Sequence, residues 1–350
     1  MPFARHRRPV FLAVLVSCLS IAFAGSVLAD EQRCNGEGAN HAGHKMDPAM
    51  YTKLRERVDL YRNASDEEID ASMARMPQDY TAYLSDAGTK GKVGVLVLSH
   101  GYGKTGDFAF CHSLKPVAGQ YPLSVAFGMS MMESSHIQQA LDDLTAAGAR
   151  TIVIVPGISS AASDDQLRQW QYMFGLTDNP GYTETPRVKT TARVVWTPAL
   201  EDHPLVVDMI ADYAHEKSTN PKQELVIIVS HGPTLDVDNA KNLALLNRIA
   251  QRVKEKGGYS DVKVMSMQND APTDVRAATG RKLRAMVEAA NHDGKRVIIV
   301  TNLQAPQSIQ RQVEQDIAGT QYVFNDKGLA QHPNYAKWVD AMVEQAIKNL

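Results

Sequence analysis

The sequence predicts an α/β fold of two homologous halves, each a parallel sheet flanked by helices in a doubly wound arrangement. Three observations carry this. Short β-branched runs alternate with helical patterns, which is the sequence form of βαβ units. The runs are apolar on both faces, as a sheet covered on both sides requires. Short signatures also recur in the same order: Ser99-His100-Gly101 as Ser230-His231-Gly232, Met129-Ser130-Met131 as Met265-Ser266-Met267, Gly148-Ala149-Arg150 before TIVIV as Gly294-Lys295-Arg296 before VIIV, and LEDHP at 200–204 as LAQHP at 329–333. Offsets of 131, 136, 146 and 129 residues drift as inserted loops within a shared plan would make them.

Residues 1–29 read as a secretory signal peptide: Arg5, Arg7 and Arg8 precede an apolar stretch over 10–24, and Val27, Leu28 and Ala29 form the cleavage site. Leu15-Val16-Ser17-Cys18 resembles a lipid-attachment box, but the apolar run continues past Cys18, which favours cleavage after Ala29. The whole chain of 350 residues carries a net charge of −2; the mature chain keeps 34 Lys and Arg against 39 Asp and Glu, a net −5. No run of one sign resembles the basic footprint of a nucleic-acid binder, which leaves a small molecule or ion as the ligand class. A hydrophobic fraction of 44% is enough for one large or two modest cores and excludes disorder. No later apolar stretch approaches the ~18 residues needed to cross a bilayer, so a soluble product, periplasmic or secreted, is expected. Cys34 and Cys111 remain in the mature chain, either as a pair in an oxidising compartment or as one buried thiol and one tail cysteine.

Residues 30–90 form an N-terminal extension outside the duplication. Its first part, CNGEGANHAGHKM at 34–46, lacks apolar residues and reads as a tail, with His41 and His44 at a metal-like spacing near Cys34. Asp47 before Pro48, and Ser65 with Glu68, predict two helix starts. The first half spans 91–218, with strands at 93–98, 124–129, 151–155 and 193–196; the second spans 219–350, with counterparts at 224–229, 261–267, 296–300 and 321–324. Apolar residues at i, i+3, i+4 and i+7 predict helices around 137–144, 206–213, 246–253, 283–290 and 339–346.

In open parallel sheets, ligands bind beyond the carboxyl ends of the strands. His100 and His231 stand one residue past a central strand, each before a glycine that lets the backbone turn sharply. A neutral imidazole there can ligate a divalent metal or accept a proton, or it can simply bond a neighbouring loop. On a strand, Met129 and Met131 share one side, as do Met265 and Met267. Facing the crevice they would give a soft site suited to Cu(I); facing inward they fill the core. His136 opens the following helix and either joins a site or caps the turn. His112 belongs to the first helix, and His203 and His332 look like entry turns before helices.

VLVLSHGYG, the stretch from VAFGMSMMESSHIQQALDD into TIVIVP, ARVVWTPALEDHPLVVDMI, and their echoes in the second half together resemble the class II chelatases of the sirohydrochlorin cobaltochelatase type, in the long two-half form. The resemblance covers roughly 91–345. It implies ATP-independent insertion of a divalent metal (cobalt, nickel or iron) into a tetrapyrrole; copper is a further candidate ligand through the methionine pairs. His100 would then be metal ligand and proton acceptor, and His231 its counterpart. Gly101, Tyr102, Met129 and Met131 would line the tetrapyrrole, Met265 and Met267 a soft-metal site. The two halves would supply the family's dimer arrangement in a monomer. Two departures are visible. No histidine occurs between His136 and His203, or between His292 and His332, where the family places a second one; and Met131 stands where a carboxylate is expected near the end of the second strand, with Glu133 the nearest acid. His136 and Glu133 are therefore the candidates for the vacated roles. A non-catalytic metal or tetrapyrrole binder on the same fold is the alternative. A hydrolase suggested by the HGYG loop lacks a nucleophile elbow, since Gly128-Met129-Ser130-Met131-Met132 has no second glycine.

Overall fold

The structure is a computed structural model that describes residues 34, 46–76, 78–162, 164–306 and 308–348. The predicted signal peptide, Cys18, and the tail histidines His41 and His44 lie outside the described residues. Among the described residues, no helix is long and apolar enough to cross a membrane.

The extension forms the two expected helices, each with its expected cap. In α1 (Pro48–Arg57) Asp47 accepts from the Ala49 amide at 2.9 Å, and α2 (Asp66–Met73) begins with a reciprocal Ser65–Glu68 capping box. A strand that the sequence pattern does not predict follows: β1 (Tyr80–Tyr83) runs antiparallel to β3 (Leu123–Phe127), with Tyr80 opposite Phe127.

Along β2 (Val93–Ser99), Val95 and Val97 face one way and Leu96 and Leu98 the other, and all four are fully buried. Alternation with both faces apolar commits the strand to cover on both sides. β6 (Glu224–Ser230) repeats this with Val226 and Ile228 against Leu225, Ile227 and Val229. β3 and β4 (Thr151–Pro156) flank β2 in parallel, and β5 (Arg193–Trp196) joins β4; β7 (Asp261–Ser266), β8 (Arg296–Thr301) and β9 (Val323–Phe324) take the same order around β6.

The helices in chain order are α3 (Gly103–Ser113), α4 (Lys115–Ala118), α5 (Ser135–Ala146), α6 (Asp164–Met173), α7 (Pro204–His215), α8 (Asp236–Gly257), α9 (Thr273–His292), α10 (Ser308–Asp316) and α11 (Asn334–Lys348). All five predicted periodic stretches lie within them. α5 and α6 cover the outer face of the first sheet, α9 and α10 that of the second. The inner faces share one core with α3, α7, α8 and α11, giving helix, sheet, helix, sheet and helix layers. α11 at the carboxyl end packs on β4 of the first half, whereas α7 of the first half packs on β8, so the halves are interleaved.

Two predicted strand ends are corrected. β3 stops at Phe127 because Gly128 turns at φ 130°, with the Asp79 carboxylate so close to its Cα that a Cβ would lie 1.8 Å from Oδ1. Met129 and Met131 are thus in a loop and share no strand face. β7 stops at Ser266, and Met265 and Met267 are buried against Leu283 and Val287 in the outer core, so packing with helix side chains, not a crevice, surrounds both sulfurs.

Cys34 and Cys111 are joined in a disulfide that ties the start of the extension to α3 across a separation of 77 residues. Closing so long a loop removes much denatured-state entropy. Cys34→Ala is expected to lower stability to urea by ~2–4 kcal/mol; an unchanged midpoint under non-reducing conditions would contradict it.

Candidate functional site

The central strands end alike. His100 and His231 each follow the last strand residue, and each ring donates from Nδ1 to the carbonyl of the next glycine, at 2.7 Å to Gly101 O and 2.9 Å to Gly232 O. Those glycines sit at φ 90° and 76°, and a Cβ on Gly232 would lie 1.8 Å from Ser266 Oγ, so the turn admits no side chain. A backbone acceptor on Nδ1 fixes the tautomer and presents Nε2 to the cleft, the usual arrangement of a ligating histidine.

The two histidines are near enough for the charge of one to act on the other, and a third group joins them. His231 Nε2 lies 3.3 Å from Asp270 Oδ2, and the charges of both Asp270 and His231 act on His100. Burial opposes charge on His231, but the Asp270 carboxylate, by charge and hydrogen bond, outweighs it and pushes the imidazole up to about 9. Burial likewise opposes charge on Asp270, yet His231 holds its carboxyl below the ordinary value. His100 is the reverse case: burial pulls it below 6.5, so it is neutral at pH 7. His231 and Asp270 keep 41% and 54% of their side-chain surface open, although burial is the largest single influence on both. The pair is thus open to solvent at the carboxyl ends of the strands.

Asp270 was not foreseen. Matching the Met-Ser-Met signatures sets it opposite Ser134, but the strand register pairs Ser99 with Phe127 and Ser230 with Ser266. On that register, Asp270 takes in the second half the place Met131 takes in the first. The carboxylate absent from the first half is present in the second. Its loop is braced by Arg276, whose Nε reaches Asn269 Oδ1 at 3.3 Å while Nη2 bonds Asp316 Oδ2 at 2.6 Å. The loop after β8, where a histidine is expected, carries Asn302 and Gln304 instead. Both are buried; neither amide atom of Asn302 has a hydrogen-bond partner among the described residues, while Gln304 Nε2 donates to Ser159 Oγ at 2.8 Å. Ser159 in turn donates to Asn302 O, so the loops after β4 and β8 meet.

The other sequence candidates lie elsewhere. His136 opens α5, buried, with Nε2 2.9 Å from Ser130 Oγ and Nδ1 3.9 Å from Asp79 Oδ2. Burial, with Glu133 adding to it, pushes Asp79 up to about 7. Glu133 accepts from Ser135 Oγ at 2.9 Å. Both candidates thus belong to a cluster around Asp79. Tyr102 is turned inward: its ring stacks toward Phe110, its hydroxyl donates to Gly157 O at 3.4 Å, and its amide donates to Asp107 Oδ1 at 2.6 Å. Met131 is buried, and Met129 half-buried, beneath the extension. His203 and His332 are entry turns as expected, each accepting on Nδ1 from a backbone amide two residues on. His112 is exposed beside Phe108.

The extension forms a roof over the loops after β3 and α6. Tyr61, following α1, and Tyr182, in the loop after α6, pack in one cluster, and both hydroxyls are pushed up by burial and further by the Asp270 charge. Lys53 and Arg57 pin α1 to Glu184, each at 2.7 Å.

No family model and no curated protein matches the chain. Solved structures do. "SirB from Bacillus subtilis with Fe3+" superposes with a TM-score of 0.54 at 15% identity, covering 74% of this chain and 97% of that one. The sirohydrochlorin chelatase SirB from Bacillus subtilis subspecies spizizenii, in complex with cobalt, gives 0.50 at 11% over the same shares. A multi-domain protein from Deinococcus radiodurans, described as structurally similar to chelatases, gives 0.47 at 18%, covering 72% of this chain and 55% of that one. The fold is therefore that of the class II chelatases.

The His231–Asp270 pair has a defined pH window. Its contribution is whole between the ordinary Asp and His values of 3.8 and 6.5, and it fades as pH rises through about 9. In a histidine NMR titration, Asp270→Asn is expected to bring the His231 midpoint down to the ordinary value or below, and to lower stability at pH 6 but not above pH 9. A midpoint left near 9 would refute the pairing.

Proposed function

We propose that this protein is an exported chelatase-like enzyme that inserts a divalent metal (cobalt, nickel or iron) into a tetrapyrrole such as sirohydrochlorin, with His100, His231 and Asp270 as its working groups. The observation that carries the reading is the convergence of one neutral imidazole and one imidazole–carboxylate pair at the carboxyl ends of the central strands of the two sheets, on a chelatase fold. The Cys34–Cys111 disulfide supports the exported setting.

Metallation forms metal–nitrogen bonds and releases two pyrrole N–H protons, so it needs a loose hold on the ion and a base beside it. The 3.3 Å between His231 Nε2 and Asp270 Oδ2 is about the separation of two ligands at ~2.0–2.1 Å on a tetrahedral ion. An incoming cation displaces the His231 proton and takes its place against Asp270. Among the described residues no group of three or more such side chains is already set around one ion. Two firm donors leave the remaining positions to the macrocycle, which suits an ion that is passed on. His100, neutral at pH 7 and on the facing half, accepts one pyrrole proton, and His231, freed as the ion passes to the macrocycle, takes the second in place of the proton it lost to solvent when the ion bound. The buried amides of Asn302 and Gln304 stand ready for polar groups of the substrate.

A non-catalytic carrier of the metal or tetrapyrrole is the second reading, favoured by the histidine-free loops after β4 and β8. One experiment separates them: sirohydrochlorin absorption followed with Co(II), Ni(II) or Fe(II). Wild type is expected to exceed the protein-free rate, and His100→Ala to lose ~10²–10³-fold in kcat/KM. Full turnover by His100→Ala would remove His100 as the proton acceptor, a wild-type rate no higher than the protein-free rate would sink the enzyme reading, and tight binding without metallation by wild type would establish the carrier.

A further inference from the structure

Half of the chain's methionines are gathered in one small cluster. Of 14 in the sequence, Met46, Met50, Met73 and Met76 of the extension meet Met129, Met131 and Met132 of the loop after β3. The three larger cores together hold six. In the roof cluster the branched aliphatic residues are only Leu54, Ile69 and Val58. A roof serving merely as an apolar plug gains nothing from this choice, because ordering a methionine costs more rotamer freedom than ordering a leucine. Methionine adds a polarisable thioether on a side chain that adapts its reach.

The cluster is also partly open to solvent. Met46 and Met131 are buried, whereas Met50, Met73, Met76, Met129 and Met132 are half-buried, so the cluster has a solvent side fed by two separate elements. One thioether already works as an acceptor: Tyr61 donates its hydroxyl to Met73 Sδ at 3.8 Å.

We propose that this methionine-rich roof is a binding site for a soft monovalent cation, with Cu(I) as the physiological candidate, distinct from the His100, His231 and Asp270 centre. Soft thioether donors select Cu(I) over cobalt, nickel and iron, which prefer nitrogen and oxygen. Thioethers carry no proton to lose, so binding is insensitive to pH in the range where the histidines titrate. An ion shared between the extension and the loop after β3 draws the two together. The site stands independently of the chelatase reading.

The test uses the whole chain titrated with Ag(I), a redox-inert mimic of Cu(I), and then with Cu(I) under anaerobic conditions, with methionine ε-methyl groups labelled for NMR. Shifts are expected for Met50, Met73, Met76, Met129 and Met132, but not for Met173, Met209, Met265 or Met342. Replacing Met73, Met76, Met129 and Met132 by leucine is expected to weaken Ag(I) binding by more than ~10-fold while thermal unfolding stays cooperative. The double variant His100→Ala with His231→Ala is expected to bind Ag(I) as wild type does. Roof methyl groups that stay still in the wild type, or binding that follows the histidines, would overturn the proposal, and the wild-type NMR result decides even if the leucine variant fails to fold.

Discussion

Two strands apolar on both faces constrain the rest of the molecule. β2 and β6 can be stable only between helix layers on either side, so their flanks are closed and only their carboxyl ends remain for polar chemistry. Because the inner faces share one core, and α7 and α11 each pack on the other half's sheet, the relation between the two strand ends is fixed by packing rather than by a linker. His100 and His231 face one another as a consequence of the core. No side chain at the site has to hold the halves in place.

On this common frame, one side chain separates the two halves chemically. The histidine turns are alike in backbone, glycine and Nδ1 partner, yet His100 is kept neutral by burial and His231 is charged by Asp270. The difference lies four residues past the end of the neighbouring strand, where one half has Met131 and the other Asp270. A symmetric pair of imidazoles would compete for the same role. With one carboxylate added to one side, one half can hold a cation while the other accepts a proton.

The strands, the helices and the strand-end histidines were legible because each rests on local periodicity or on a signature next to an apolar run. Asp270 was not, because its equivalence depends on the pairing register. The sequence between β6 and β7 is longer than that between β2 and β3, and the recurring Met-Ser-Met tripeptides sit at different distances from their strand ends. Matching them therefore misses the structural register by three residues. Met129 and Met131 were misread for a related reason: the alternation argument needs a strand, and what ends β3 at Phe127 is Asp79, a residue 48 positions away in the chain. β1 carries too short a pattern to be read locally, and it exists because the open edge of β3 offers it a partner.

The extension therefore shapes the site. Its exposed ion pairs with Glu184 contribute ~0–1 kcal/mol each, so its attachment rests on the apolar packing of Leu54, Tyr61 and Ile69, on β1, on the disulfide and on the Tyr80–Asp107 hydrogen bond, which lies beside the Tyr102 turn. Pairing of β1 with β3 brings Asp79 onto Gly128, where its carboxylate accepts from the Ser130 amide and faces His136. The loop 128–133 is thereby drawn toward the extension, and its methionines pack upward into the roof instead of inward to the cleft. The equivalent loop after β7 has no such captor; Arg276 holds it by Asn269 and leaves Asp270 free to meet His231. The division of labour between the halves thus follows from where the extension docks: the half it grips gives its second loop to the roof, and the half it leaves alone gives that loop to the chemistry.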